Sequence, residues 1–274
     1  MRVPLQPRRE LIPYIILAAA VALTAGLTWY AHVSGTTRER IVFEGTADGV
    51  RAAIESRFDT HMAMLLGGAG LFAASDEVTL QEFRRYVARL RLEERYPGIQ
   101  GIGFTRVVRP DERLEVLERM RAEFPEFRFW PEPPDALFTA IVYLEPLDER
   151  NRIALGYDMA SEEVRAEAMS RARDEARPAA TGVVELVQER HDPARAQAGF
   201  LIYVPLYAGG GIPETIAERR QALEGFVYSP FRADDLLSSI FPRAVPTVTA
   251  IDVFEGTPSE GTPLHRRRRT KARR

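Results

Sequence analysis

Between Leu11 and Thr37 the chain carries no charged side chain, and its first 22 positions, LIPYIILAAAVALTAGLTWYAH, are almost wholly apolar. A run of that length spans about 30 Å of hydrocarbon only as a helix, the form in which one segment satisfies its own backbone groups. Arg2, Arg8 and Arg9 precede it. Positive charge stays on the inner side, so the spacing predicts a cytoplasmic N-terminus (1–10), a transmembrane helix over 11–33, and everything after Ser34 outside. Trp29-Tyr30 then falls at the outer interfacial belt. A cleaved leader ending in the small residues around Ala31 to Gly35 is the competing reading, but the apolar core exceeds the roughly 7 to 15 residues of such a leader.

From Arg38 to Leu66 the apolar residues Phe43, Ala47, Val50, Ile54, Phe58, Met62 and Leu65 recur at threes and fours, one stripe on a long helix. We expect a stalk over 38–66, ended by Gly67-Gly68. Its stripe serves either as a dimer seam that transmits motion or as a face packed on the chain's own domain.

Composition narrows the chemistry open to the rest of the chain. It has 274 residues, 45% of them hydrophobic, enough for a sizeable core, and no cysteine, which excludes disulfides, thiolate metal sites and thiol nucleophiles. Lys271 is the only lysine, so neither a phosphate-binding P-loop nor a kinase strand lysine is available. Of the histidines (His32, His61, His191, His265) only His191 lies in the part expected to be globular, and neither a Gly-x-Ser-x-Gly elbow nor a paired-His spacing occurs. Triad hydrolysis and zinc chemistry are disfavoured. The formal charge of -2 conceals a polarity: Arg266 to Arg274 holds seven basic residues, leaving an acidic body. An acidic body argues against nucleic acid as a partner.

Ser75 is a candidate cap for a helix carrying Phe83, Val87 and Leu90. A strand is expected at Ile99 to Phe104, a helix over Pro110 to Glu123, a short strand at Phe127 to Trp130, and a buried strand from Phe138 to Leu144. Ser161 is read as the cap of a helix with Glu162 and Glu163 in its first turn, Arg171 and Arg173 in its last, and Pro178 as its stop. Strands at Thr181 to Val187 and Phe200 to Tyr207 look antiparallel, and Pro213 to Leu223 (helix), Gly225 to Ser229 (strand), Asp234 to Phe241 (helix) and Thr247 to Phe254 (strand) complete the series. The class is α+β with an antiparallel sheet, a layout shared with PAS-like sensors.

The loop that the Phe138 strand feeds is rich in charge: Glu145, Asp148, Arg150, Arg152 and Asp158. Glu145, Asp148 and Asp158 could gather a hard cation, but lack the alternate spacing of a calcium loop. We expect no metal and no cofactor. Glu145, Asp148 or His191 could alternatively serve an anchored enzyme, and a dimerisation module without ligand is a further reading.

Several motifs in series, Phe72-Ala73-Ala74-Ser75, Pro97-Gly98-Ile99-Gln100-Gly101-Ile102-Gly103-Phe104, Tyr143-Leu144-Glu145-Pro146, Gly156-Tyr157-Asp158-Met159, Gln197-Ala198-Gly199-Phe200 and Gly225-Phe226-Val227-Tyr228, resemble the CHASE domain over about 51–254. That family comprises the extracytoplasmic sensors of cytokinin receptors and of bacterial histidine kinases and cyclases. The resemblance implies a stalk helix supporting tandem PAS-like subdomains (67–254), a small-molecule ligand in the membrane-distal one, and no catalytic module in this chain. The apolar helix makes membrane lipid an expected neighbour, and the stalk's stripe is an expected homodimer seam. The resemblance places ligand contacts at Asp158, whose carboxylate would accept hydrogen bonds, at backbone groups of Ala180 and Thr181, and at Tyr203. Asp158 has a plainer possible role as a turn carboxylate satisfied by backbone N–H groups. Tyr203 stands where the family has a small polar residue, so a ligand other than the plant hormone is expected. Family members continue into a second membrane helix and an output module. Here 255–274 reads as an irregular basic tail, which suggests a truncated or frame-shifted end.

Overall fold

The computed structural model describes residues 12–131, 138–189, 197–244, 250–256 and 261–268. Its helices are α1 (Ile12–Ala73), α2 (Leu80–Leu90), α3 (Leu92–Arg95), α4 (Arg113–Glu123), α5 (Glu149–Arg152), α6 (Glu163–Glu175), α7 (Ile216–Ala222) and α8 (Ala233–Ala244). Its strands are β1 (Ile102–Val108), β2 (Phe138–Glu145), β3 (Ala179–Ala180), β4 (Val184–Glu185), β5 (Ala198–Tyr207), β6 (Leu223–Arg232), β7 (Ala250–Glu255) and β8 (Thr262–Arg268). Two compact units emerge, Met1–Ala52 and Ala53–Arg274.

In the first unit, Pro13–Tyr30 is a helical segment long and apolar enough to cross a membrane, and the side chains described there are exposed. Further along, Ile41 and Phe43 are exposed as well.

The second unit is built on a six-stranded antiparallel sheet, ordered β2-β1-β6-β5-β3, with β4 also paired to β5. Successive side chains on a strand point to opposite faces, which divides β6 between two layers. Val227 and Phe231 turn to one face and meet α1. Phe231 stacks on Phe200 at 4.9 Å, Phe200 stacks on Phe58 at 5.6 Å, and the His61 ring stands edge-on to Phe231 at 5.1 Å. Phe72, near the end of α1, lies 4.4 Å from Phe104 of β1. Each such ring contributes roughly 1.5–3 kcal/mol by leaving water. The lower part of the α1 stripe is thus a face packed on the chain's own domain. His61 Nδ1 lies 2.7 Å from the Arg57 carbonyl and burial depresses its pKa, which favours the neutral ring.

The opposite face carries Leu201, Tyr203, Phe226 and Tyr228, which join one core with Met159, Ala168, Met169 and Ala172. The last three lie on α6 at helical spacing, on the side that also buries Arg165.

Local chemistry shifts several boundaries. The stalk does not end at Gly67-Gly68: α1 continues to Ala73, and both glycines sit where the helix packs closely on its neighbours. A Cβ on Gly68 would sit 3.2 Å from Val227 Cγ1, and one on Gly67 3.3 Å from Tyr86 Oη. Thr79, not Ser75, caps α2, through a reciprocal capping box with Glu82. Ser161 does not cap α6. Its hydroxyl donates to the Asp158 carbonyl at 2.6 Å within a 3₁₀ turn (Met159–Ser161), and α6 opens after Glu162. Phe127 to Trp130 is no strand, holding only a single bridge from Trp130 to Tyr157. Instead of one strand over Thr181 to Val187 there are two short ones, β3 and β4, both on β5.

The expected irregular tail is corrected too. β8 takes residues 262–268 into an antiparallel hairpin with β7, so the basic run begins as a paired strand. Among the described residues this two-stranded sheet is the second sheet, and tandem sheets of similar size are not seen.

Candidate functional site

Asp158 lies where β2, the 127–130 segment and the 3₁₀ turn meet. Its backbone bridges Ala140 of β2, and its N–H donates to the Trp130 carbonyl at 2.8 Å. Oδ1 accepts from the Thr139 N–H at 2.9 Å and from the Ala160 N–H at 3.0 Å. The carboxylate is therefore engaged as a cap. Burial raises its pKa above the ordinary 3.8, and the two backbone hydrogen bonds oppose that rise.

A raised folded-state pKa means the native protein holds this proton more tightly than the unfolded chain, so the stability it adds is fullest below pH 3.8 and is lost as pH rises through the folded value. Asp158→Asn retains Oδ1 as acceptor and removes the charge. We expect urea unfolding of this variant to lack that component of the pH profile and to stay within about 1 kcal/mol of wild type at pH 7. Asp158→Ala is expected to cost about 1–3 kcal/mol by stranding the buried Thr139 N–H and freeing the part-buried Ala160 N–H. Equal stability of the two variants would remove the capping role.

The other expected contacts are distributed around Tyr203 of β5. Ala180 and Thr181 lie on or beside β3, where Ala179 pairs with Tyr203 and Ala180 with Ile202. The exposed Ala180 offers its carbonyl to Arg171 Nη2 at 2.6 Å, and Thr181 Oγ1 accepts from the Leu201 N–H at 3.0 Å. Tyr203 is fully buried, with its hydroxyl 3.5 Å from Met159 Sδ, and burial pushes its pKa well up. The structure thus brings Tyr203 against the residue after Asp158, while Ala180 and Thr181 stay at the strand edge.

Glu145 and Asp148 do not converge with Asp158. Glu145 is held by Arg84 Nε at 2.9 Å and by the Leu147 N–H at 3.1 Å, and Asp148 caps α5 by accepting from the Asn151 N–H at 2.7 Å. Among the described residues no group of three His, Asp or Glu side chains could hold a metal. His191 lies outside the described residues.

Sequence reasoning missed three buried polar residues. Asn151 donates to the Gln100 carbonyl at 3.0 Å and the Pro146 carbonyl at 2.8 Å, and accepts from Gln188 at 3.2 Å. Glu189 receives Arg150 at 3.0 Å and Arg232 at 2.8 Å, so Arg150 is not merely a solvated loop charge. Arg165 is 1% exposed beneath the sheet, donating to the Glu185 carbonyl at 2.7 Å with its guanidinium over the Tyr157 ring at 5.2 Å. One signal was readable for it: Arg165 falls in the apolar register of Ala168, Met169 and Ala172.

Open clefts lie elsewhere on this unit. One of about 490 Å³ is lined by the end of α1, Pro178, Pro205 and Gly210, and another of about 660 Å³ by Phe124, Phe127, Trp130, Arg128 and Arg152.

An antiparallel sheet with helices on its faces and charged groups buried beneath one of them defines an α+β domain. The family model described as the CHASE domain matches residues 76–265, and the chain belongs to the CHASE domain family. These are sensory extracellular domains of receptors. The match extends into β8, past the 254 boundary expected from the sequence. No curated protein matches the chain.

Proposed function

We infer that this chain is the membrane-anchored, extracytoplasmic small-molecule sensor of a signal-transduction receptor, the input half of a histidine kinase or nucleotide cyclase. In this reading the Pro13–Tyr30 segment is a retained anchor with a cytoplasmic N-terminus, and the six-stranded sheet is a PAS-like ligand-binding layer. The packing of Phe58, His61 and Phe72 of α1 directly on β5, β6 and β1 carries the reading. A ligand that changes the sheet's side-chain packing thereby biases the helix that contains the apolar segment, which is what a population shift requires. The exposed Ile41 and Phe43 support a homodimer through the stalk. The reading assigns the chain no catalysis.

The test uses the full chain in lipid nanodiscs. A small-molecule screen by thermal shift is expected to yield a compound that raises the melting temperature, and that compound should change amide exchange in residues 53–73 severalfold. A stabilising ligand that leaves those amides unchanged would refute α1 as the output, and a screen in which nothing stabilises the chain would refute the sensor reading.

A further inference from the structure

Beneath the sheet, on the α6 side, hydrogen-bond donors outnumber the acceptors offered to them. Arg165 Nη1 donates to Met159 Sδ at 3.7 Å, and Tyr203 Oη donates to the same sulfur at 3.5 Å. A thioether is a weak acceptor, a poor partner for a guanidinium in a buried site. Tyr228 Oη is fully buried with no hydrogen-bond partner among the described residues, as is Thr105 Oγ1 of the neighbouring strand. The Tyr228 ring lies over Gly103, where a Cβ would approach to 2.3 Å, and stands 6.0 Å from the Tyr203 ring. Its hydroxyl feels the charge of Arg165. Leaving such groups unsatisfied is costly, and their retention calls for an explanation.

We propose, resting on the sensor reading above, that this centre takes a small monocarboxylate whose oxygens replace Met159 Sδ between Arg165 Nη1, Tyr203 Oη and Tyr228 Oη. Three donors and no competing acceptor at Nη1 select a head group that only accepts. Glu162 Oε2 lies 2.9 Å from Arg165 Nε and is a third exposed, so it occupies another part of the guanidinium and leaves Nη1 to the thioether. Size follows from the plug. The centre is filled in this structure, and the three clefts at the end of α1, beside α2 and α3, and beside Trp130 are lined by other residues than Arg165, Tyr203 and Tyr228. Entry requires the Met159 side chain to swing out, which its unbranched, flexible chain permits, and the space freed suits a ligand of only a few heavy atoms. Met159 follows the capping Asp158 directly, so its displacement acts on the turn that opens α6.

The probe is sodium propionate, with propionamide as its uncharged isostere, titrated calorimetrically into the full chain in nanodiscs. Propionate should bind and propionamide should not. Tyr228→Phe removes one buried hydroxyl and keeps the ring, and should weaken propionate binding at least about tenfold, the loss of one hydrogen bond to a charged acceptor. Met159→Leu removes the sulfur that now occupies the donors, so propionate should raise its melting temperature more than it raises that of wild type. Absence of propionate binding, unchanged affinity in Tyr228→Phe, or an equal thermal shift in Met159→Leu would each overturn the carboxylate assignment. A neutral compound that stabilises the chain where propionate does not would overturn it too, while leaving the sensor reading standing.

Discussion

Glu189→Ala is expected to cost the fold about 3 kcal/mol, because it removes a buried carboxylate shared by two arginines and leaves Arg232 to the half-exposed Asp235 at 3.0 Å. The Glu189 side chain is 1% exposed, and Arg232 beside it only 15%. Its carboxylate joins three separate elements: Arg232 at the end of β6, Arg150 of α5, and the Gln197 N–H at 2.6 Å just before β5. In a unit of this size the loss corresponds to a fall in melting temperature of about 10 °C. Arg150→Ala discriminates this account from a generic surface effect. Arg150 is 46% exposed, so its removal leaves Glu189 still paired with Arg232 and should cost no more than about 1 kcal/mol. Urea unfolding monitored by circular dichroism checks both, and similar losses in the two variants would refute the buried-clamp account.

Gly156→Ala is the second large effect. Gly156 has φ of +76°, and a Cβ there would lie 1.9 Å from the Arg128 carbonyl oxygen. Gly156 is held on both sides: its N–H donates to the Ile141 carbonyl at 2.8 Å, and its carbonyl accepts from the Trp130 N–H at 3.0 Å. Left-handed strain and a clash with backbone combine to about 3 kcal/mol or more. Gly209→Ala is the matched control, since Gly209 has φ of +75° with nothing within 4 Å of the added atom, and only the strain of about 1–2 kcal/mol remains. The variant at Gly156 should also alter tryptophan emission, because Trp130 packs 4.6 Å from Tyr157. An Ala substitution at Gly156 no more costly than at Gly209 would refute the close-approach account.

Legibility from sequence depended on whether a signal was local. The Phe138 strand was readable almost to the residue, since a run buried on both faces needs only its own apolar side chains and a Pro to end it. Thr79 was missed in favour of Ser75 because both offer a hydroxyl, and only the reciprocal bond from Glu82 separates them. Gly67-Gly68 looked like a stop because glycine is a weak helix former. In the fold Val227 and Tyr86 come close enough to give those positions a packing reason. The turn-type residues after Glu255 gave no periodic signal, yet backbone pairing with β7 makes a strand of 262–268.

The candidate site shows the same division. Asp158 could be singled out by its motif, but its two N–H partners come from Thr139, 19 positions earlier, and Ala160, and only the fold reveals that one oxygen is engaged as a cap. Arg165 escaped notice because a charge on a helix ordinarily marks its solvated side, although the register with Ala168, Met169 and Ala172 placed it on the buried face. Tyr228 gave no warning at all. An unpartnered hydroxyl is a property of its surroundings, not of a residue.

By itself, the sequence determined the membrane-length apolar helix, the α+β class with its antiparallel strands, the family, and the absence of cysteine and of any lysine outside the tail. The family rests on the resemblance of several motifs in series along the chain, and the others follow from composition or from periodicity within one segment, where neighbours along the chain are also neighbours in space. Only the tertiary structure decided which face of the sheet α1 covers, that Glu189 clamps three elements, and that Arg165 and Tyr203 meet beneath the sheet on the Met159 sulfur with the Tyr228 ring beside Tyr203. Those arrangements join residues tens of positions apart, and the energies involved, desolvated charge and stranded hydroxyls, exist only once the layers close and water leaves.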